Sequence, residues 1–215
     1  MKNYKLIIFD WDGTLMDSVD RIVSSMKSAA KIVGLTIPST QSVKDIIGLS
    51  LPIAFDKLFS DITEEQAKAM LVQYKYQFIE VNMTPMPLFN DAALLLANLQ
   101  KQEKLLAIAT GKAREGLTHV LKVSGMAHFF NSTRCAGEVP SKPDPTMLIS
   151  ILDELNIAAQ DAIMVGDSSH DLAMAQAANI DSIGVTFGVH DRQTLEKYQP
   201  KAIVDSLVEL QCLLV

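Results

Sequence analysis

Apolar residues fall into two rhythms along this chain. Leu6-Ile7-Ile8-Phe9, preceded by Lys5, is an unbroken apolar run with β-branched members. Comparable runs lie at Leu105–Ala109, Ala162–Val165, Ser182–Val185 and Ala202–Val204. Short continuous runs predict strands covered on both faces. Between them the apolar positions recur at helical spacing, which predicts helices over Asp91–Leu99, Ala113–Val123, Pro145–Leu155, Asp171–Ala178 and Ser206–Leu213. Strand and helix in alternation predict an α/β fold, a mostly parallel sheet with helices on both sides.

One stretch breaks the alternation. From Asp17 to about Pro85 there are helical patterns and no strand pattern. Val19, Ile22, Val23, Met26, Ala30 and Val33 make one apolar stripe, and Gly34 stands where a helix would stop. Pro52–Phe59 and Glu64–Val81 continue in the same manner, with Thr63 as the expected N-cap of the latter. Thr84-Pro85-Met86-Pro87 then breaks the helix. The expected division is residues 1–16 and 86–215 as an α/β core, and residues 17–85 as a small all-helical insert.

Composition narrows the function classes. The chain has 215 residues, 48% of them hydrophobic, enough for one large core. A net charge of −6 argues against non-specific binding to nucleic acid, which needs clustered Lys and Arg. Cys135 and Cys212 have neither metal-ligand nor redox spacing. The first apolar run is short and ends in Asp10, unlike a signal peptide, and no stretch is long enough to span a bilayer. The expectation is a cytoplasmic monomer or homodimer with no membrane or nucleic-acid partner.

Four short polar stretches follow apolar runs: Asp10-Trp11-Asp12-Gly13-Thr14, Thr110-Gly111-Lys112, Lys142-Pro143-Asp144-Pro145 and Gly166-Asp167-Ser168-Ser169-His170-Asp171. Strands of a parallel sheet present such residues at their carboxyl ends, where open α/β sheets bind ligands. Asp10 and Asp12 are two apart, so in extended chain both carboxylates face one side. One could attack phosphorus as a nucleophile while the other moves protons. Asp167 and Asp171 add hard oxygen ligands suited to Mg²⁺. Lys142 is a point charge for phosphate oxygens. Thr110 and Gly111 are placed at the end of a strand and the start of a helix, where a hydroxyl and free N–H groups suit an anion. Each stretch alone has a plainer reading: an Asx turn at Asp12-Gly13, an N-cap at Thr110, a solvated charge at Lys142, a capping box at Ser168–Asp171. Four together point to phosphoryl transfer assisted by a divalent metal.

Taken together, these stretches resemble the motifs of the haloacid dehalogenase-like (HAD) superfamily hydrolases, in the branch of the phosphoglycolate phosphatases. Phe9-Asp-Trp-Asp-Gly-Thr-Leu-Met-Asp-Ser18 is similar to the first motif of that family, Thr110-Gly111 to the second, Lys142-Pro143 to the third and Gly166-Asp167 through Asp171 to the fourth. The resemblance implies a Rossmann-like three-layer core with a helical (C1-type) cap inserted after the first strand. It implies a phosphatase acting on a small phosphorylated metabolite through an aspartyl phosphate on Asp10, with Asp12 as acid and base. It implies Mg²⁺ held by Asp10, the Asp12 carbonyl and Asp167 with support from Asp171, and phosphate held by Thr110, Gly111 and Lys142. The acid at Asp12 favours phosphoryl transfer over dehalogenation. Two departures stand out. Pro87-Leu88-Phe89 replaces a Pro-Gly-Val common in relatives. Ile47-Gly48-Leu49-Ser50-Leu51, similar to the cap loop that faces the site, has no Arg, Lys or His for a second anion, leaving Lys44, Lys57 or Arg114 to supply one and Ser50 as a specificity candidate. Two alternatives share these residues: a phosphomutase that returns the phosphate to a sugar, and a module that binds metal and phosphometabolite without turnover.

Overall fold

The unbroken apolar runs lie at the centre of a parallel sheet in the computed structural model, which describes residues 2–215. The described residues form six strands: β1 (Leu6–Phe9), β2 (Leu105–Ala113), β3 (Ser132–Ala136), β4 (Ala162–Gly166), β5 (Asp181–Val185) and β6 (Ala202–Val204). Their order across the sheet is β3-β2-β1-β4-β5-β6, and every pairing is parallel. The chain therefore leaves β1 in one direction to build β2 and β3, and in the other to build β4 to β6. The gap between β1 and β4 is the point of reversal, where α/β sheets place ligands.

Helices cover both faces. Six lie in the second part of the chain: α5 (Ala92–Lys101), α6 (Arg114–Ser124), α7 (Thr146–Leu155), α8 (Ser169–Ala177), α9 (Arg192–Glu196) and α10 (Leu207–Leu214). Side chains alternate across the sheet with period two. Ile7, Phe9, Ile108 and Val165 pack against α5, α6 and α10. Leu6, Ile8, Ala107 and Met164 pack against α7 and α8. Two buried layers on one sheet make a three-layer α/β structure.

Residues 19–81 carry α1 (Val19–Val33), α2 (Thr40–Lys44), α3 (Leu51–Leu58) and α4 (Glu64–Tyr76), with no strand among them. Met26, Ala29, Val43, Phe55 and Met70 give this insert a hydrophobic cluster of its own, which Val189 of the sheet side joins. Gly34 ends α1 with φ 80°, and its N–H returns to Ala30 and Lys31 carbonyls. Thr63 caps α4 in a reciprocal box with Gln66. The two connections to the sheet run side by side: Met16 bridges Leu88, Asp17 N–H donates to Pro87 O at 2.8 Å, and Phe89 N–H donates to Leu15 O at 3.0 Å.

Several elements depart from the sequence reading. β3 (Ser-Thr-Arg-Cys-Ala) is an edge strand, half-covered and mixed in polarity, with no apolar run to announce it. α2 and α9 (Arg192–Glu196) are five residues long, too short to show a period. The helix expected over Glu64–Val81 widens to a π turn at Gln77–Val81. β2 runs on to Ala113, so Thr110 and Gly111 lie within the strand and neither opens α6. No helix among the described residues is long and apolar enough to cross a membrane.

Candidate active site

Register builds the site. Phe9 lies opposite Ile108 of β2 and Val165 of β4, so the residues that follow β1 and β4, and the end of β2, reach the same edge together. Asp10, Thr110 and Asp167 arrive there, each about 1% exposed. Asp10 N–H donates to Val165 O at 2.9 Å, which anchors the turn after β1 to the neighbouring strand. Lys142 enters from the loop before α7, and Asp171 from the first turn of α8; both are buried.

Lys142 Nζ lies 2.6 Å from Asp171 Oδ1 and 2.9 Å from Asp10 Oδ1. The first contact is an aligned hydrogen bond. The second is a close charge pair without hydrogen-bond geometry, so Asp10 Oδ1 is buried beside a charge and accepts no aligned hydrogen bond. Burial alone would pull the Lys142 ammonium towards neutrality, but Asp10 and Asp171 outweigh it, and its pKa is raised. The Asp10 carboxyl is pushed up to about 7, chiefly by burial and further by Asp171, with Lys142 pulling the other way. Asp167 is also raised well above the usual carboxylate range, by burial first and then by Asp171 and Asp10.

Oxygens of Asp10, Asp167 and Asp171 lie within 4.8 Å of one another. Three buried carboxylates share one buried ammonium, so the site carries excess negative charge. An all-oxygen donor set with a buried oxygen that accepts no aligned hydrogen bond fits a hard divalent cation. The three acids differ in what else they do. Both Asp171 oxygens are engaged, Oδ1 by Lys142 and Oδ2 by the Ser168 hydroxyl at 2.6 Å and N–H at 3.1 Å. Asp167 Oδ1 accepts from Thr14 at 2.8 Å and Oδ2 from Val189 N–H at 2.8 Å. Asp10 is the least committed, and so the most available to a cation or a substrate.

Backbone fits tightly around these groups. At Gly13, with φ 85°, a β-carbon would lie 2.2 Å from Asp167 Oδ2, so only glycine lets the turn after β1 close onto that carboxylate. At Gly111 a β-carbon would lie 2.3 Å from Gly48 O, because the insert's loop rests directly on the end of β2.

Asp12 sits apart from the lysine cluster. Its Oδ1 accepts from Ser18 Oγ at 2.6 Å, and its Oδ2 pairs with Lys112 Nζ at 2.9 Å. Lys112 also lies 5.1 Å from the Phe78 ring of the insert. Thr110 Oγ1 accepts from Lys112 N–H at 3.2 Å, a local turn and not a helix cap. Above these residues is a cavity of about 330 Å³ between insert and sheet, bordered by Asp10, Asp12, Thr110 and Gly111.

The sequence profile of the haloacid dehalogenase-like hydrolases matches residues 7–185. The chain belongs to that family. It is 33% identical over 209 residues to Probable phosphatase IndB of Dickeya dadantii, covering 95% of this chain and 91% of the relative. It is 30% identical over 215 residues to a phosphoglycolate phosphatase of Vibrio cholerae, covering 96% and 95%. A crystal structure of a predicted phosphoglycolate phosphatase from Haemophilus somnus superposes with a TM-score of 0.89 at 25% identity, covering 99% of each chain.

In this haloacid dehalogenase-like chain, Asp10, Thr110, Lys142, Asp167 and Asp171 meet at one sheet edge, and Asp12 and Gly111 border the same cavity. Ser50 does not line it; it precedes α3, and its N–H donates to Ser141 Oγ at 2.9 Å. Arg114 is tied to Glu138 and Thr133, and Lys57 borders a separate outer hollow with Asp45. Neither they nor Lys44 border the cavity. Sequence reasoning assigned no role to Thr14, Ser18 or Lys112. The first two stand inside the first motif at fixed offsets from Asp10. Lys112 adjoins the second motif, but its pairing with Asp12 depends on how β1 and β2 align.

Two outcomes are expected. Lys142→Met leaves the buried carboxylates without their ammonium and should cost about 3–5 kcal/mol in urea unfolding at neutral pH, with part of the loss recovered on acidification. The second concerns pH in the presence of chelator. A carboxyl whose folded pKa is raised binds more protons when folded, so its contribution to stability falls as pH rises from about 5 to about 7. His170, its pKa lowered chiefly by burial, works in the opposite sense below its unfolded value. Comparison with Asp10→Asn removes that background: over this range the wild-type Tm should fall relative to the variant, and Mg²⁺ should reverse the trend.

Proposed function

We propose that this chain is a Mg²⁺-dependent phosphatase that hydrolyses a small phosphorylated metabolite, with an aspartyl phosphate on Asp10 as intermediate. The observation that carries the reading is the buried Asp10 with an uncommitted carboxylate, set between Lys142 and Asp167 at the floor of a cavity. The phosphatase names of the relatives from Dickeya dadantii and Vibrio cholerae support it.

In the first half-reaction an Asp10 oxygen attacks phosphorus in line with the ester oxygen. The P–O bond to the leaving group breaks, and its electron pair goes to that oxygen. Asp12 gives it a proton. Lys112, 2.9 Å from Asp12 Oδ2, lies where the negative charge appears once that proton has left, and Ser18 holds the other oxygen. In the second half-reaction Asp12 takes a proton from water as its oxygen attacks phosphorus. The bond to Asp10 breaks, inorganic phosphate departs and the carboxylate is restored. Lys142 faces the phosphate oxygens with its charge while Asp171 holds it in place. Thr110 and the Gly111 N–H border the same phosphate position. Asp10, the Asp12 carbonyl and Asp167 would hold the cation, with Asp171 supporting. When bound, it supplies positive charge to the phosphate oxygens and keeps Asp10 ionised. The helical insert, residues 17–85, acts as a cap that excludes bulk water.

Free phosphate release should require Mg²⁺ and should fall by about 10⁴-fold or more in Asp10→Asn. Asp12→Asn should lose about 10²–10⁴-fold with an alkyl phosphate and far less with an activated aryl phosphate, because only the alkoxide needs the proton. Equal losses with both classes of leaving group would remove Asp12 from that role. Steady-state phosphate assays on both variants decide the matter.

A further inference from the structure

The cavity over Asp10 is walled mainly by hydrocarbon. Met26 of α1, Leu49 of the loop before α3, and Tyr74, Phe78 and Ile79 at the end of α4 face into it. Tyr74 and Phe78 stand 5.8 Å apart, with their rings inclined at 31°, as an aromatic wall. They fall four residues apart across the place where α4 widens into its π turn, a distortion common at functional sites.

Acidic and basic side chains both border the cavity. Asp10, Asp12 and Glu115 border it, and so do Arg21, Lys75 and Lys112. Lys112 and Lys75 have carboxylate partners, and Arg21 has none among the described residues. Arg21 Nε donates to Phe78 O at 2.9 Å, and its guanidinium lies over the Phe78 ring at 5.3 Å. Lys112 is paired with Asp12, and Lys75 faces Glu115 across the exposed rim at 3.8 Å. His119 lies exposed at the edge. A second anionic group on the substrate would meet mostly apolar wall, since Lys112 is held by Asp12 and Lys75 lies out at the rim; Arg21, set over the Phe78 ring, is the one base among the described residues that it could reach. A two-carbon leaving group would leave most of the apolar wall in contact with water.

Resting on the phosphatase reading, we propose that the substrate is a phosphate monoester of a ring-bearing, largely apolar alcohol, its ring seated among Met26, Leu49, Tyr74 and Phe78. The Tyr74 hydroxyl, kept protonated by burial and by the nearby charge of Asp12, offers one polar contact to a ring substituent. The phosphate reaches Asp10, and the ring reaches the insert.

Four monoesters separate ring from charge: ethyl phosphate, 2-phosphoglycolate, benzyl phosphate and 4-carboxybenzyl phosphate. Assays use the full chain with Mg²⁺, and acetyl phosphate serves as a small activated reference. Benzyl phosphate should exceed ethyl phosphate in kcat/KM by about 100-fold, and the added carboxylate should lower it by about 10-fold or more. Ile79→Lys places a cation on the wall at a half-exposed position and should shift the benzyl-to-phosphoglycolate ratio at least about 10-fold towards phosphoglycolate. Equal rates for ethyl and benzyl phosphate, a preference for phosphoglycolate, or an unchanged ratio in the variant would each overturn the substrate class while turnover of acetyl phosphate keeps the phosphatase reading. No release from any compound, acetyl phosphate included, would sink the phosphatase reading and the substrate class with it.

Discussion

The ammonium of Lys142, buried between Asp10 and Asp171, is the contact on which the rest of this structure depends. Three carboxylates out of water repel one another and lose their hydration, so one lysine offsets only part of the cost. The surroundings are organised around the remainder. Ser168 donates twice to Asp171, Thr14 and Val189 donate to Asp167, and glycine at position 13 lets the turn close on that carboxylate. The capping box at the start of α8 is therefore part of the same network: the Asp171 carboxylate that closes it also accepts from Lys142. Such a half-compensated site fits a hard divalent cation.

How much of this was legible in the sequence follows from burial. β1 and β4 are covered on both faces, so their residues are apolar without interruption and the runs declare themselves. β3 is half-covered at the edge, where Ser132, Thr133 and Arg134 are as acceptable as Val or Ile, and no pattern marked it. α2 and α9 have too few residues to express a period. The acids of the site were visible because Asp10, Asp12, Asp167 and Asp171 follow apolar runs at short, fixed offsets. The partners of Asp12 were not equally visible. Ser18 is local, but Lys112 comes from β2 and meets Asp12 only through strand register. Thr110 and Gly111 were placed at a helix start because the apolar run ends at Ala109, yet β2 continues to Ala113 through half-exposed residues. The loop at Gly48 was expected to face the site. It does, but through backbone packed on Gly111 and through Leu49, while Ser50 turns to Ser141.

The apolar cavity and the charged floor impose different demands on one molecule. The floor must be rigid, since about 1 Å of misplacement in a nucleophile is costly, and it is built on strand ends and a helix N-terminus. The wall is built on helices of the insert, whose hydrophobic cluster is separate from those flanking the sheet. On the proposed function, chemistry and selectivity thus draw on largely separate cores that meet at Val189.

The paired connections at Met16 and Leu88 give that separation a practical meaning. Chain entry and chain exit of the insert lie side by side, like the two ends of a plug. A different helical segment with closely spaced ends could be spliced between them without redirecting any strand of the sheet. The seam lets the chain leave the sheet and return to it at one place, so the insert costs the sheet no change of strand direction.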